Sequence, residues 1–182
     1  MTPGRCSGVT NTTVPTTSTL IAPTVDQKVA SFKLKIKPSK IHRWGIYADE
    51  PIPKNRRVIE YTGEKINRKE TKRRAETAEF NYLFTLDSYW TIDGSVNGSG
   101  AQFINHCCEP NLEARIIHNH ILYFTLRDIA KGEELTIDYR FGWDVEKYTC
   151  KCGAAGCRGT INLHKPAPKR GKKSAKATKK KK

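Results

Sequence analysis

The chemistry of this sequence is most legible in Cys150-Lys151-Cys152-Gly153-Ala154-Ala155-Gly156-Cys157. Two thiols one residue apart and a third beyond a glycine-bearing turn can occupy three corners of a tetrahedron, and Gly153 and Gly156 let the backbone wrap tightly around an ion. Structural zinc takes four ligands, so a fourth is required. Cys6, Cys107, Cys108 and His164 are candidates, and local spacing does not choose among them. Closed by four protein ligands, such a site has no open position for water and acts as a staple. Elsewhere Tyr61, Tyr82, Tyr139, Asn105 and His106 place polar tips on strand-like or turn-like stretches. Taken singly, each reads as a satisfied structural residue rather than a functional one.

The elements that must position these residues are short. Phe32, Leu34 and Ile36 alternate with lysines, which predicts a strand with one wet face. Val58–Tyr61, Tyr82–Leu86, Tyr89–Ile92, Ala114–His118, Ile121–Leu126 and Leu135–Tyr139 read as further strands, with Asn119-His120 as the turn of a tight hairpin. Asn67 followed three residues later by Glu70 marks the start of one helix, about 67–78, carrying Arg68, Lys69, Lys72, Arg73 and Arg74. Its basic face is expected to be solvated rather than a nucleic-acid reader. Many short strands with one helix predict a mainly β domain.

The 182 residues leave room for one domain with tails. Residues 1–29, rich in Thr, Pro and Ser, and residues 165–182, rich in Lys, are expected to be disordered. No apolar run is long enough to span a bilayer, and Met1–Arg5 has no apolar leader, so an intracellular location without a membrane is expected. In a reducing compartment clustered cysteines serve metals sooner than disulfides. Of the net charge of +15, ten charges fall in 165–182, where nine lysines and Arg170 meet no acid. Such a segment is expected to bind nucleic acid through phosphates, sequence-independently.

The block Phe103-Ile104-Asn105-His106-Cys107-Cys108-Glu109-Pro110-Asn111 resembles the Asn-His-Ser-Cys-x-Pro-Asn signature of SET-domain methyltransferases. Gly132–Tyr139 resembles that family's second signature, and Cys-x-Cys-x4-Cys its post-SET element. Ile41–Tyr47 and Glu60–Glu64 are similar to its opening elements, so the likeness covers about residues 33–160 in the family's order. The resemblance implies a SET fold, with several small sheets around a knot-like C-terminal crossing and one short basic helix. The SET domain would span 30–143 and a zinc-bound post-SET element 144–164. It also implies an S-adenosylmethionine-dependent protein-lysine methyltransferase. Tyr139 would be catalytic, with Tyr61 as a second wall of the lysine channel. Cofactor contacts would come from His42, Trp44, Tyr82, Asn105 and His106. Cys108 would join Cys150, Cys152 and Cys157 as the fourth zinc ligand.

Methyl transfer to an amine is an in-line displacement that needs the amine neutral, aligned and dry. A narrow aromatic channel favours the neutral amine by desolvation. Ile137, two residues before Tyr139, stands where the family's aromatic residue tunes product; lacking a hydroxyl, it predicts di- or trimethylation. The implied substrate is a histone or similar nucleic-acid-associated basic protein, with a nuclear, chromatin location or, alternatively, a bacterial nucleoid one. Three positions depart from the family. Arg43 stands where Gly is usual, a substitution that a negative φ would accommodate; Gln102 replaces a frequent Arg, and Cys107 the usual Ser. If Arg43 and Gln102 spoil the cofactor site, the alternative is a non-catalytic chromatin or nucleic-acid-binding protein on the same architecture.

Overall fold

The computed structural model describes residues 23–166. Ten strands make four small sheets, joined by a single α-helix and one 3-10 turn among the described residues. Strands β1 (Leu34–Pro38) and β2 (Trp44–Ala48) form an antiparallel pair in which Ile36 faces Ile46 across the register. Strands β3 (Arg57–Tyr61), β8 (Leu112–Ile117) and β9 (His120–Thr125) form a sheet with β9 in the middle. Strands β4 (Glu64–Asn67), β5 (Leu83–Thr85) and β6 (Trp90–Asp93) form another, centred on β6. The two-residue strands β7 (Asn105–His106) and β10 (Thr136–Ile137) pair in parallel, so the two signature blocks meet directly, and the Cys107 N–H donates to Ile137 O at 2.8 Å.

Alternation explains the sheets. In β9, Ile121, Tyr123 and Thr125 point inward and are at most 1% exposed, while His120, Leu122 and Phe124 lie between them on the outer face. Ile46, Val58, Ile59, Ile52 and Leu135 join them in one core, and each such side chain contributes on the order of 1.5–3 kcal/mol on burial. The β8–β9 turn lies one residue earlier than the sequence indicated. Ile117 pairs with His120, and the turn residues are His118 and Asn119, both at positive φ (48° and 67°). Two left-handed residues match the right-handed twist of the strands, which is why a turn without glycine still closes.

Helix α1 (Arg68–Thr77) starts where Asn67 accepts from the Glu70 amide at 3.1 Å. Glu70 does not complete a reciprocal cap; its carboxylate holds Arg73 and Arg74 instead. The helix buries no residue and is tied to the sheet at its C-terminal turn. There the Arg74 guanidinium reaches Glu64 at 2.8 Å and Asp93 at 2.6 Å on the sheet below. Part of the basic face is thus spent on internal ion pairs.

Residues 23–29 do not follow the disorder expected for 1–29. Val25 and Val29 pack on the core, the Asp26 amide donates to Ser99 O at 2.9 Å, and Ala30 bridges Ile59. The packing surface is apolar enough to order a stretch whose own composition argues for a loop. The remainder of that segment, 1–22, and the tail 167–182 lie outside the described residues.

Candidate active site and thiol cluster

A cleft of about 1110 Å³ opens between the β1–β2 loop, the segment 79–85, the β7–β10 pair and the C-terminal stretch. Every residue expected to bind cofactor or substrate lies on it: His42, Trp44, Tyr61, Tyr82, Asn105, His106 and Tyr139. Its size exceeds the usual span of small-molecule sites, about 300–1,000 Å³, leaving room for a cofactor and a lysine side chain together.

The backbone pairing of β7 with β10 sets Asn105 and His106 beside the strand that leads to Tyr139. The Asn105 amide is buried and donates to Trp44 O and Glu134 Oε1, each at 2.8 Å, and to His42 O at 3.3 Å. Asn105 therefore ties down the loop that carries His42 and Trp44. Glu134 also accepts from Ser39 Oγ at 2.8 Å and the Tyr47 hydroxyl at 3.0 Å, so one carboxylate clamps both strands of the first sheet to the signature block. A Cβ at Gly45 would overlap that carboxylate, which is why glycine stands there.

His106 is 3% exposed, and its ring is used inside the protein. Nδ1 accepts from the Tyr139 amide at 3.1 Å, which leaves the proton on Nε2, 3.4 Å from Cys108 Sγ. Burial lowers its pKa below the ordinary value, against the pull of Asp138, consistent with that neutral tautomer. Any contact of His106 with a cofactor is left to its backbone.

The Tyr139 hydroxyl donates to Ile104 O at 3.0 Å, and the Tyr61 hydroxyl to Tyr82 O at 2.5 Å. Both phenolic protons are committed to carbonyls, so the oxygens present only lone pairs to a ligand. Desolvation pushes both phenols well above their ordinary range. Tyr139 keeps 37% of its surface accessible, and that surface faces the cleft it lines, while Tyr61 is 6% exposed and packs on Phe84 and Tyr123. Tyr82 sets its ring edge-on to Phe103. Ile137 is buried beneath the same floor.

Arg43 has φ +40°, the left-handed region, so the accommodation at negative φ expected for it is not the one used. That conformation costs roughly 1–2 kcal/mol for a residue with a Cβ. It is held by stacking of the guanidinium on Phe80 at 3.9 Å, which draws the side chain to the cleft wall. Gln102 serves the turn before it, accepting from the Gly100 amide at 2.9 Å.

Cys108, Cys150, Cys152 and Cys157 place their sulfurs within 4.8 Å of one another. The Cys108–Cys150 and Cys108–Cys157 separations are 3.7 and 4.0 Å. A tetrahedron with Zn–S bonds of about 2.3 Å has edges of about 3.8 Å, so the spacing fits zinc. Backbone N–H groups of Arg158 and Gly159 point at Cys108 Sγ (3.3 Å) and Cys157 Sγ (3.4 Å), as thiolates require. Burial opposes ionisation of Cys152, but the Cys108 and Ala154 amides and the neighbouring thiols bring it to about 6. Burial raises Cys108 and Cys150. Of the candidates for fourth ligand, Cys108 is the one in the cluster. Cys107 turns instead to Glu109 O at 3.3 Å, and burial pushes its thiol up to about 11. Residue Cys6 lies outside the described residues.

Sequence reasoning missed the struts of the C-terminal segment. Arg158 forms two 2.8 Å bonds to the Asp138 carboxylate, next to Tyr139. Buried Asn162 donates to Gly142 O and Glu146 O, both at 2.9 Å, and accepts from the Tyr148 amide at 3.1 Å. Neither has a local pattern that announces it, because each partner is brought up by the fold.

The family model described as SET domain matches residues 43–140, more than half of the chain. The chain belongs to the SET-domain family. It is 42% identical over 136 residues to the histone-lysine N-methyltransferase, H3 lysine-4 specific, of Candida albicans, covering 68% of this chain and 13% of that protein. It is 42% identical over 139 residues to histone-lysine N-methyltransferase SETD1 of Drosophila melanogaster, covering 71% and 8%. To that fly's histone-lysine N-methyltransferase trithorax it is 40% identical over 132 residues, covering 68% and 4%. The chain thus spans a small fraction of the length of these relatives. As expected, the described residues are mainly β, with small sheets, one basic helix and a cysteine cluster suited to zinc.

Proposed function

We propose that this chain transfers methyl groups from S-adenosylmethionine to the side-chain amine of lysine in a histone, with H3 lysine-4 the first residue to test. The observation that carries this reading is the pair of phenols, Tyr139 and Tyr61. Their protons are given to Ile104 O and Tyr82 O, so each oxygen offers only lone pairs, and both residues line the cleft. The names of the relatives support it.

S-adenosylmethionine supplies, when bound, a methyl group activated on a sulfonium. His42, Trp44 and Tyr82, with Asn105 and the His106 backbone, would hold it on the cleft wall. Tyr139 would align the amine lone pair, and its oxygen would face the positive charge developed during transfer. Tyr61, Tyr82 and Phe103 would form dry walls around the lysine stem, favouring the uncharged amine. Ile137 leaves the floor without a hydroxyl, which supports di- or trimethyl products. Cys108, Cys150, Cys152 and Cys157 would hold one structural zinc, neutralising thiolate charge and joining the C-terminal segment to the signature block. The Lys-rich segment 165–182 would bind nucleic acid in a nuclear, chromatin setting. No helix among the described residues is long and apolar enough to cross a membrane.

Titration of S-adenosylmethionine followed by mass spectrometry of a histone H3 peptide tests the reading. Binding and one or more 14-dalton additions (about the mass of each CH₂ gained) on lysine are expected. Firm cofactor binding without transfer to any histone would contradict it. Absence of cofactor binding would favour the non-catalytic alternative.

A further inference from the structure

The chain leaves the folded region beside the site. Leu163 lines the cleft, and its amide donates to Phe141 O at 2.8 Å. The Phe141 ring stands 5.8 Å from that of Tyr139 and 5.9 Å from that of Tyr148. Phe141, Trp143 and Tyr148 are 39, 43 and 45% exposed, so an open aromatic rim runs from Tyr139 to the point of departure. That rim already takes a lysine: Lys165 Nζ lies 5.4 Å over the Trp143 ring. Beyond Pro166 follow sixteen residues, 167–182, eight of them lysine.

From these facts, and resting on the methyltransferase reading above, we infer that lysines within 169–182 are substrates of the chain's own cleft, methylated in cis. A random coil of about ten residues has a root-mean-square span of roughly 17 Å, a length that would reach from Pro166 back across the rim to Tyr139. Tethering at that length gives an effective concentration on the order of millimolar. At micromolar protein this favours the chain's own lysines over a second copy's by roughly a thousandfold. The ammonium first loses its proton to solvent. The amine lone pair then forms the N–C bond as the C–S bond breaks, and the electron pair leaves on sulfur. Methylation keeps the positive charge, so the nucleic-acid role proposed for the segment survives it.

The test incubates the full, zinc-loaded chain with S-adenosylmethionine, alone and with a histone H3 peptide, and maps methyl groups by peptide mass spectrometry. Expected are methyl groups on lysines in 169–182 and a yield per chain unchanged over about a hundredfold dilution. A mass-tagged Tyr139→Phe chain mixed with wild type should stay unmodified. Replacing the eight lysines by arginine should abolish self-labelling while transfer to the H3 peptide continues. Methylated H3 beside an unmodified tail would overturn the inference and leave the proposed function standing. So would labelling of the tagged chain to the level of wild type, or a yield falling in proportion to dilution. Silence of both substrates would remove the proposed function and this inference with it.

Discussion

With its proton given to Ile104 O, the Tyr139 oxygen can act on a substrate only as an acceptor, and its contribution is electrostatic rather than acid–base. Removing it by Tyr139→Phe should lower kcat on the order of a hundredfold. The thermal midpoint should hardly move, since one partly accessible hydrogen bond is worth about 1 kcal/mol. The same geometry sets the pH dependence. Burial raises the Tyr139 phenol above 10.0, so it stays neutral through the pH range where a free lysine, near 10.4, sheds its proton. Transfer should therefore rise with pH to about 10 without a downturn owed to Tyr139. A rate profile that falls between pH 8 and 10 in wild type but not in the phenylalanine variant would contradict this. Glu134 is the residue whose role the sequence hid. Glu134→Gln leaves the three donors from Ser39, Tyr47 and Asn105 with a weaker acceptor, and the His42–Trp44 loop should loosen. The readout is a raised Kd for S-adenosylmethionine with a smaller change in stability.

Helix α1 illustrates how an element with no buried residue is kept in place. Arg74 joins Glu64, Glu70 and Asp93, of which Asp93 is 5% exposed at its side chain. Burial works to raise Asp93, and Ser95 and Arg74 overcome it, leaving the carboxyl below 3.8. A depressed carboxylate stabilises the fold fully above its unfolded value, and that contribution is lost as pH falls through the lower folded value. Arg74→Met should therefore lower stability at pH 7, by less than the loss of a fully buried pair because Arg74 is partly solvated. The variant should also show a shallower loss of stability in acid, both measured by denaturant titration. Much of this element was legible beforehand: the Asn67 cap and the helix length follow from local hydrogen bonding, which depends only on neighbours. Strands β3, β8 and β9 were legible too, because their β-branched and aromatic runs are bounded by turn residues, although only β9 alternates cleanly. Strand β4 and strand β2 were not, because four or five residues with a glycine or lysines carry little periodicity, and pairing with β6 and β1 decides them. The hairpin turn fell one residue early since His118 enters a left-handed conformation that sequence does not favour. Segment 23–29 was misread because its order comes from the core it covers.

At the scale of the molecule, the C-terminal segment is tied down twice, to Cys108 by thiols and to Asp138 by Arg158. The order of three signatures pointed to residues that line one cleft, whereas the struts Asn162 and Arg158 follow only from the assembled fold. If the thiols hold zinc, acid hydrolysis or thiol modification should release about one ion per chain. Cys152→Ser should bind less, and a strong chelator should abolish methyl transfer while the β-sheet circular dichroism persists. Persistence of full transfer after complete zinc removal would show that the C-terminal wall stands without the ion. The central claim, that the cleft containing Tyr139 is a lysine methyltransferase site, is tested most directly by label transfer. Radiolabelled S-adenosylmethionine is incubated with H3 peptides and either wild-type or Tyr139→Phe chain, after equal cofactor binding by the two has been verified. Label on lysine in wild type, reduced on the order of a hundredfold in the variant, is the predicted result. Equal labelling by both chains would place the chemistry elsewhere and contradict it.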